Sequence, residues 1–98
     1  MIINKVHKGG ALTLVIEGRL ETITAPELEA VVKNELDGVT ELIFDFAKLD
    51  YISSAGLRVL LSAQKKMAVQ GSMKVINSNE IVNEIFSVTG FDDILTLE

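Results

Sequence analysis

The 98-residue chain has no cysteine and no tryptophan, one proline, one tyrosine and a single histidine. Lack of cysteine excludes disulfides, thiolate metal sites and a cysteine nucleophile. His7 alone cannot build a histidine metal cluster or supply the base of a catalytic triad. Positive charge is scarce as well: 9 Lys and Arg stand against 14 Asp and Glu, a formal net charge of −5. A nucleic-acid binder needs a cationic footprint to release phosphate counterions, and an anionic membrane surface asks for the same. No apolar run approaches the ~20 residues of a bilayer span. The opening Met1 to Gly10 lacks the apolar stretch and small-residue cleavage site of a signal peptide. There is no glycine-rich phosphate loop of the P-loop kind. The expectation is a cytoplasmic protein that is not an enzyme, holds no metal or cofactor, and neither binds nucleic acid nor inserts into a membrane.

What is present is an ordinary globular composition, 48% hydrophobic and 23% charged, which argues against disorder. A chain of this length folds as one domain, here 1–98, and hides somewhat over ~60% of its unfolded surface. Ile2 to Val6 reads as a short strand. Gly9-Gly10 then suits a tight hairpin, because both residues tolerate positive φ. In Ala11 to Glu17, Leu12, Leu14 and Ile16 alternate with Thr13, Val15 and Glu17, the pattern of a strand with one apolar face, and Gly18 ends it.

Thr24 and Glu27 have capping-box spacing, and Pro26 falls in the first turn of the helix they announce, although Ala25 is an alternative cap. Leu28, Val31, Val32 and Leu36 form its apolar stripe, and Gly38 stops it. Glu41 to Phe46 is a nearly continuous apolar run that suits a central strand covered on both faces. A second helix carries Leu57, Leu60, Leu61, Ala63, Met67 and Ala68 inward and Arg58, Ser62, Lys65 and Lys66 outward, ending at Gly71. Met73 to Ile76 is a strand. Ser78 or Asn79 caps a third helix with Ile81, Val82, Ile85 and Phe86 inward and Gly90 just beyond. Ile94 to Leu97 forms a last short strand or packs as a tail. The order β-β-α-β-α-β-α predicts an α/β fold with a four- or five-stranded mixed sheet and helices mainly on one face.

In such sheets functional residues gather beyond the carboxyl ends of the strands, where helix N-termini point. Two loops qualify, Gly18 to Pro26 and Asp50 to Gly56. Ser53 and Ser54 in the second read most simply as N-cap residues. A helix start also stabilises an anion, and a phosphoryl group on a serine there adds roughly −1.5 to −2 charge without unfolding the domain. His7 reads as a solvated strand-end residue. Asp45, inside an apolar strand, either bonds nearby backbone or orders the serine loop.

The segment Tyr51-Ile52-Ser53-Ser54-Ala55-Gly56-Leu57 closely resembles the signature of the STAS domain, typified by bacterial anti-sigma factor antagonists. Gly18-Arg19-Leu20-Glu21 through Thr24-Ala25 is similar to the family's second block, Phe44-Asp45-Phe46 with Leu49-Asp50 to the strand before the signature, and Asn83 to Phe91 to its closing stretch. Ser53 and Glu21 stand where the family often has aspartate. The resemblance implies a STAS-like fold and a partner-switching role. The unmodified protein binds an anti-sigma factor serine kinase and so frees a sigma factor. Phosphorylation of one serine, here Ser54 or otherwise Ser53, ends that binding, and a PP2C-type phosphatase restores it. ATP and metal belong to the kinase. The surface so implied comprises Glu21, Thr22, Thr24, Asp50, Ser53, Ser54, Gly56, Leu57 and Arg58. An alternative is a STAS subunit of a membrane transport complex, of the lipid-transport ATPase type, without a phosphorylation cycle.

Overall fold

The computed structural model describes residues 1–98. Strands β1 (Ile2–Lys8) and β2 (Ala11–Leu20) form an antiparallel hairpin in which Lys8 faces Ala11, leaving Gly9-Gly10 as a two-residue turn. Only Gly9 takes a positive φ, +61°, so the turn asks for left-handed backbone once rather than twice. Gly10 is small for want of space instead: a Cβ there would lie 2.5 Å from Oγ1 of Thr40.

Strand β3 (Glu41–Ile52) pairs in parallel with β2 on one side and with β4 (Ser72–Ile76) on the other, giving the sheet order β1-β2-β3-β4. Helix α1 (Ala25–Asn34) joins β2 to β3, α2 (Ser54–Gln70) joins β3 to β4, and α3 (Glu80–Thr89) follows β4. Parallel crossovers of one hand and one direction bring their helices to one face of the sheet. On that face Leu12, Leu14, Ile16, Leu42, Phe44, Phe46, Met73 and Val75 are buried, and they share one cluster with Leu28 and Val32 of α1, Leu60 and Met67 of α2, and Val82 and Phe86 of α3. Burying a phenylalanine such as Phe44, Phe46 or Phe86 contributes about 1.5–3 kcal/mol. The alternate residues Thr13, Val15, Ile43, Lys74 and Ile76 remain partly exposed. The central strand is therefore covered on one face, not on both as its apolar run suggests.

Strand β3 also runs six residues beyond the Phe46 expected as its end, and β2 continues past Gly18 to Leu20. Two register shifts explain why the pattern is hidden. Val15 pairs with Asp45 but Glu17 with Lys48, and Gly18 pairs with Leu49 but Arg19 with Tyr51, so β3 takes an extra residue at each step. Every such bulge resets which side chains face the core, and the buried positions move from Phe44 and Phe46 to Leu49 and Ile52. Gly18, at φ +101°, absorbs the distortion on β2. Asp45 anchors the first bulge: its Oδ1 accepts bonds from the Ala47 N–H at 3.0 Å and from Asn77 Nδ2 at 3.1 Å. Its role is the backbone-bonding one, and these bonds do not reach the serine loop.

Helix α1 ends at Asn34 rather than near Gly38. The unpaired carbonyls at a helix end need donors, and α2 supplies them. Lys66 Nζ donates to the carbonyls of Val32 and Lys33, and Gln70 Nε2 to those of Leu36 and Val39. Lys66 thus leaves the exposed basic face expected of it and joins the helix packing. In α2 the expected Leu57, Leu60, Ala63 and Met67 are buried, Val59 joins them, Leu61 is partly exposed and Ala68 is exposed. Asn79, not Ser78, caps α3 through a bond from the Val82 N–H at 2.8 Å. Ile81 faces solvent at 57% exposure, since the second position of α3 points away from the Val82–Phe86 stripe. The tail buries Leu95 and makes a single bridge from Leu97 to Val75, so the sheet has four strands.

Candidate functional site

The carboxyl ends of β2 and β3 lie side by side, with Leu20 paired to Ile52. The chain leaves these paired residues in two directions, into the turn before α1 and into the start of α2. The Ser53 N–H donates to the Leu20 carbonyl at 2.9 Å, fastening one exit to the other. Gly56 closes the junction from above. A Cβ at this position would sit 2.7 Å from Leu20 Cγ and 2.8 Å from Ile52 Cγ1, so the signature glycine is what lets the first turn of α2 rest on both strand ends.

The turn before α1 is organised by Thr24. Its hydroxyl donates to the Arg19 carbonyl at 2.7 Å and accepts from the Glu21 N–H at 2.9 Å. The expected capping box does not form: Thr24 has helical backbone angles and no side-chain bond into α1, because its oxygen is occupied by the turn behind it. Glu21 receives Arg19 Nε at 2.9 Å, and the same guanidinium lies 4.5 Å over the Tyr51 ring. An ion pair and a cation–π contact together hold the end of β2 against the end of β3. At this exposure their main effect is to fix geometry rather than to add much stability.

Around this junction Thr22, Asp50, Ser54 and Arg58 are exposed, Glu21, Thr24 and Ser53 are partly exposed, and Gly56 and Leu57 are buried. Gly56 and Leu57 therefore support the surface from beneath and do not form part of it. The two serines differ sharply. Ser53 precedes α2 with extended backbone, yet its side chain makes no capping bond, and its Oγ is buried without any partner. Ser54, the first residue of α2, is exposed. No acidic residue occupies the first turn of α2. The first N–H groups of a helix have no intrahelical acceptor, so the positive end of α2 opens on the Ser54 hydroxyl with nothing else claiming it.

One residue on this surface escapes sequence reasoning. Ile23 is 85% exposed in the turn beside the serine loop. Nothing in Thr22-Ile23-Thr24 distinguishes a surface isoleucine from a buried one until the turn is seen to close without it. On the polar face of α2, Arg58, Ser62 and Lys65 are exposed and Lys66 is partly buried. His7 is exposed on β1, far in the chain from this junction. No group of three or more His, Asp or Glu side chains is gathered to hold a metal ion. What the arrangement offers is an exposed rim of hydroxyls, charges and one apolar side chain around the two strand ends.

Comparison with known proteins agrees with this architecture. The model of the STAS domain family matches residues 3–98. BtrV of Bordetella bronchiseptica, named as an anti-sigma factor antagonist, is 37% identical over 84 residues, which cover 84% of this chain and 72% of BtrV. The crystal structure of TM1081 from Thermotoga maritima, described in the same terms, has a TM-score of 0.90 at 19% identity and covers 97% of this chain and 84% of its own. The Bacillus cell fate determinant SpoIIAA in its phosphorylated form gives a TM-score of 0.77 at 17% identity, with 99% and 91% covered. Strand order, the glycine-closed junction and a match along almost the entire sequence lead to one conclusion: this chain belongs to the STAS domain family.

Proposed function

We propose that the protein is an anti-sigma factor antagonist whose docking is switched by phosphorylation of Ser54. The observation that carries this reading is the contrast between the exposed Ser54 hydroxyl and the buried Ser53 oxygen at an uncapped helix start. A kinase needs the acceptor oxygen in reach, and only Ser54 presents one. The similarity to BtrV and the existence of a phosphorylated fold neighbour support the same assignment.

The unmodified rim, with Thr22, Ile23, Asp50, Ser54 and Arg58 outermost, docks on an anti-sigma factor that is a serine kinase. In the transfer step the Ser54 Oγ–phosphorus bond forms as the bond from the γ-phosphorus of ATP to its bridging oxygen breaks. ADP leaves, and the hydroxyl proton passes to a base of the kinase. The product carries about −1.5 to −2 charge in the middle of the docking rim. Burying that charge against the surface that has just delivered it is unfavourable, so the complex separates. Helix α2 itself tolerates the modification, because its N-terminal dipole favours an anion there. A PP2C-type phosphatase hydrolyses the phosphoester and returns the chain to its binding state. No helix of the chain is long and apolar enough to cross a membrane.

The test is incubation of the full chain with a candidate anti-sigma factor serine kinase and Mg-ATP, followed by intact mass spectrometry and peptide mapping. One phosphoryl group on Ser54 is expected. Ser54→Ala gains none and stays bound to the kinase, whereas Ser54→Asp binds at least about tenfold more weakly. Modification confined to Ser53, or equal binding of both variants and the unchanged chain, would overturn the assignment.

A further inference from the structure

We propose that Arg58 is the ligand, within the chain itself, of the phosphoryl group on Ser54; this inference rests on reading Ser54 as the modified residue. Ser54 opens α2, and Arg58 follows it by four positions on the same helix. Side chains at that spacing are surface neighbours, about 5–6 Å apart at Cβ. Both are exposed, and Arg58 takes part in none of the chain's ion pairs, side-chain hydrogen bonds or cation–π contacts.

The other charged groups near this helix start come from the two strands beneath it. Arg19 and Glu21 at the end of β2 are bound to each other, with Arg19 also resting on Tyr51. Asp50, near the end of β3, is exposed and negative. It repels a phosphate, as does Glu21. Farther along α2, Lys66 is committed to the carbonyls that end α1, and Lys65 lies three turns from Ser54. Arg58 is the cation that remains free and near. Its planar guanidinium can give two parallel N–H bonds to phosphate oxygens. An anion placed N-terminal to a cation at i, i+4 is also the favourable order along a helix.

The consequence for switching is a double change from one modification. In the unmodified chain Arg58 points outward and is available to an acidic partner surface. In the phosphorylated chain it folds back onto the phosphate, so the rim gains negative charge and loses its neighbouring positive one together.

The experiment uses the full chain with phosphoserine incorporated at position 54 during synthesis, and follows the second ionisation of the phosphate by ³¹P NMR. It requires no kinase, so its outcome is separate from whether a kinase modifies Ser54. Arg58 is exposed and unbonded, so Arg58→Gln leaves the fold intact. That change raises the second phosphate pKa by about 0.3 unit, as loss of one i, i+4 charge pair predicts. Arg58→Lys restores part of the shift, and Lys65→Gln leaves it unchanged. The proposal is overturned if Arg58→Gln titrates with the unchanged chain, or if Lys65→Gln shifts the phosphate as much.

Discussion

Helices α2 and α3 begin from nearly the same backbone. Each follows a parallel strand, and each has an extended residue before its first turn: Ser53 at φ −101°, ψ 177° and Asn79 at φ −78°, ψ 175°. They finish that start in opposite ways. Asn79 bonds the N–H of Val82 and, through Nδ2, the carbonyl of Leu49, and Glu80 supplies a negative charge at the first helical position. Helix α3 closes its own end. In α2 the cap residue contributes no side-chain bond, the first turn has no acid, and the first helical position is Ser54. Glu80 is a permanent charge, and a phosphoserine at the equivalent place in α2 is a reversible one. A helix start left open by its own sequence is one that an added group can complete.

The third helical position separates the two helices most strongly. Val82 in α3 is fully buried and fills core volume, whereas its counterpart in α2 is Gly56, where any Cβ meets Leu20 and Ile52. Gly56→Ala should destabilise the chain by about 1–3 kcal/mol, the usual cost of overpacking against branched side chains. Urea unfolding measures it as a lowered midpoint at unchanged slope. A loss well under that range would show that α2 can lift from the strand ends, and the junction would then not be rigid.

The cap itself comes next in size. Asn79→Ala removes the acceptor for Val82 and the donor to Leu49, and should cost about 1 kcal/mol, within the 0.5–2 range for such caps. Native-state hydrogen exchange should place the added opening in the first turn of α3, with α2 unaffected. If protection fell equally in both helices, their starts would be coupled and the comparison between them would lose its basis.

These positions also show where sequence is readable. The hairpin, the three helices and the buried face of β2 follow from turn residues and uninterrupted period, so they stand out. The second half of β3 does not, because its bulges shift the buried positions from Phe46 to Leu49 and then Ile52, a step of three that breaks the strand period of two. Lys66 looked like surface charge because a lysine's role depends on which carbonyls lie across the helix interface, and those belong to residues more than thirty positions away. At the site, Ser54 is singled out by the resemblance of its segment to the family signature, and Arg58 by its place on the polar face of α2. The unbonded state of the Ser53 hydroxyl was not legible, since cap residues are identified by type and only geometry shows whether the bond is made.

That hydroxyl gives the smallest effect and the most discriminating one. A serine that caps a helix loses about 1 kcal/mol when changed to alanine. The Ser53 oxygen is buried and unpaired, and a buried hydroxyl without a partner costs stability rather than adding it. Ser53→Ala should therefore leave the unfolding midpoint unchanged or raise stability by up to about 1 kcal/mol, the opposite sign to Asn79→Ala. The Ser53 N–H, which holds Leu20, is retained in the variant, so the junction below Ser54 stays fastened. A loss near 1 kcal/mol would mean that Ser53 caps α2 in solution, and the helix start would not be open before Ser54 is modified.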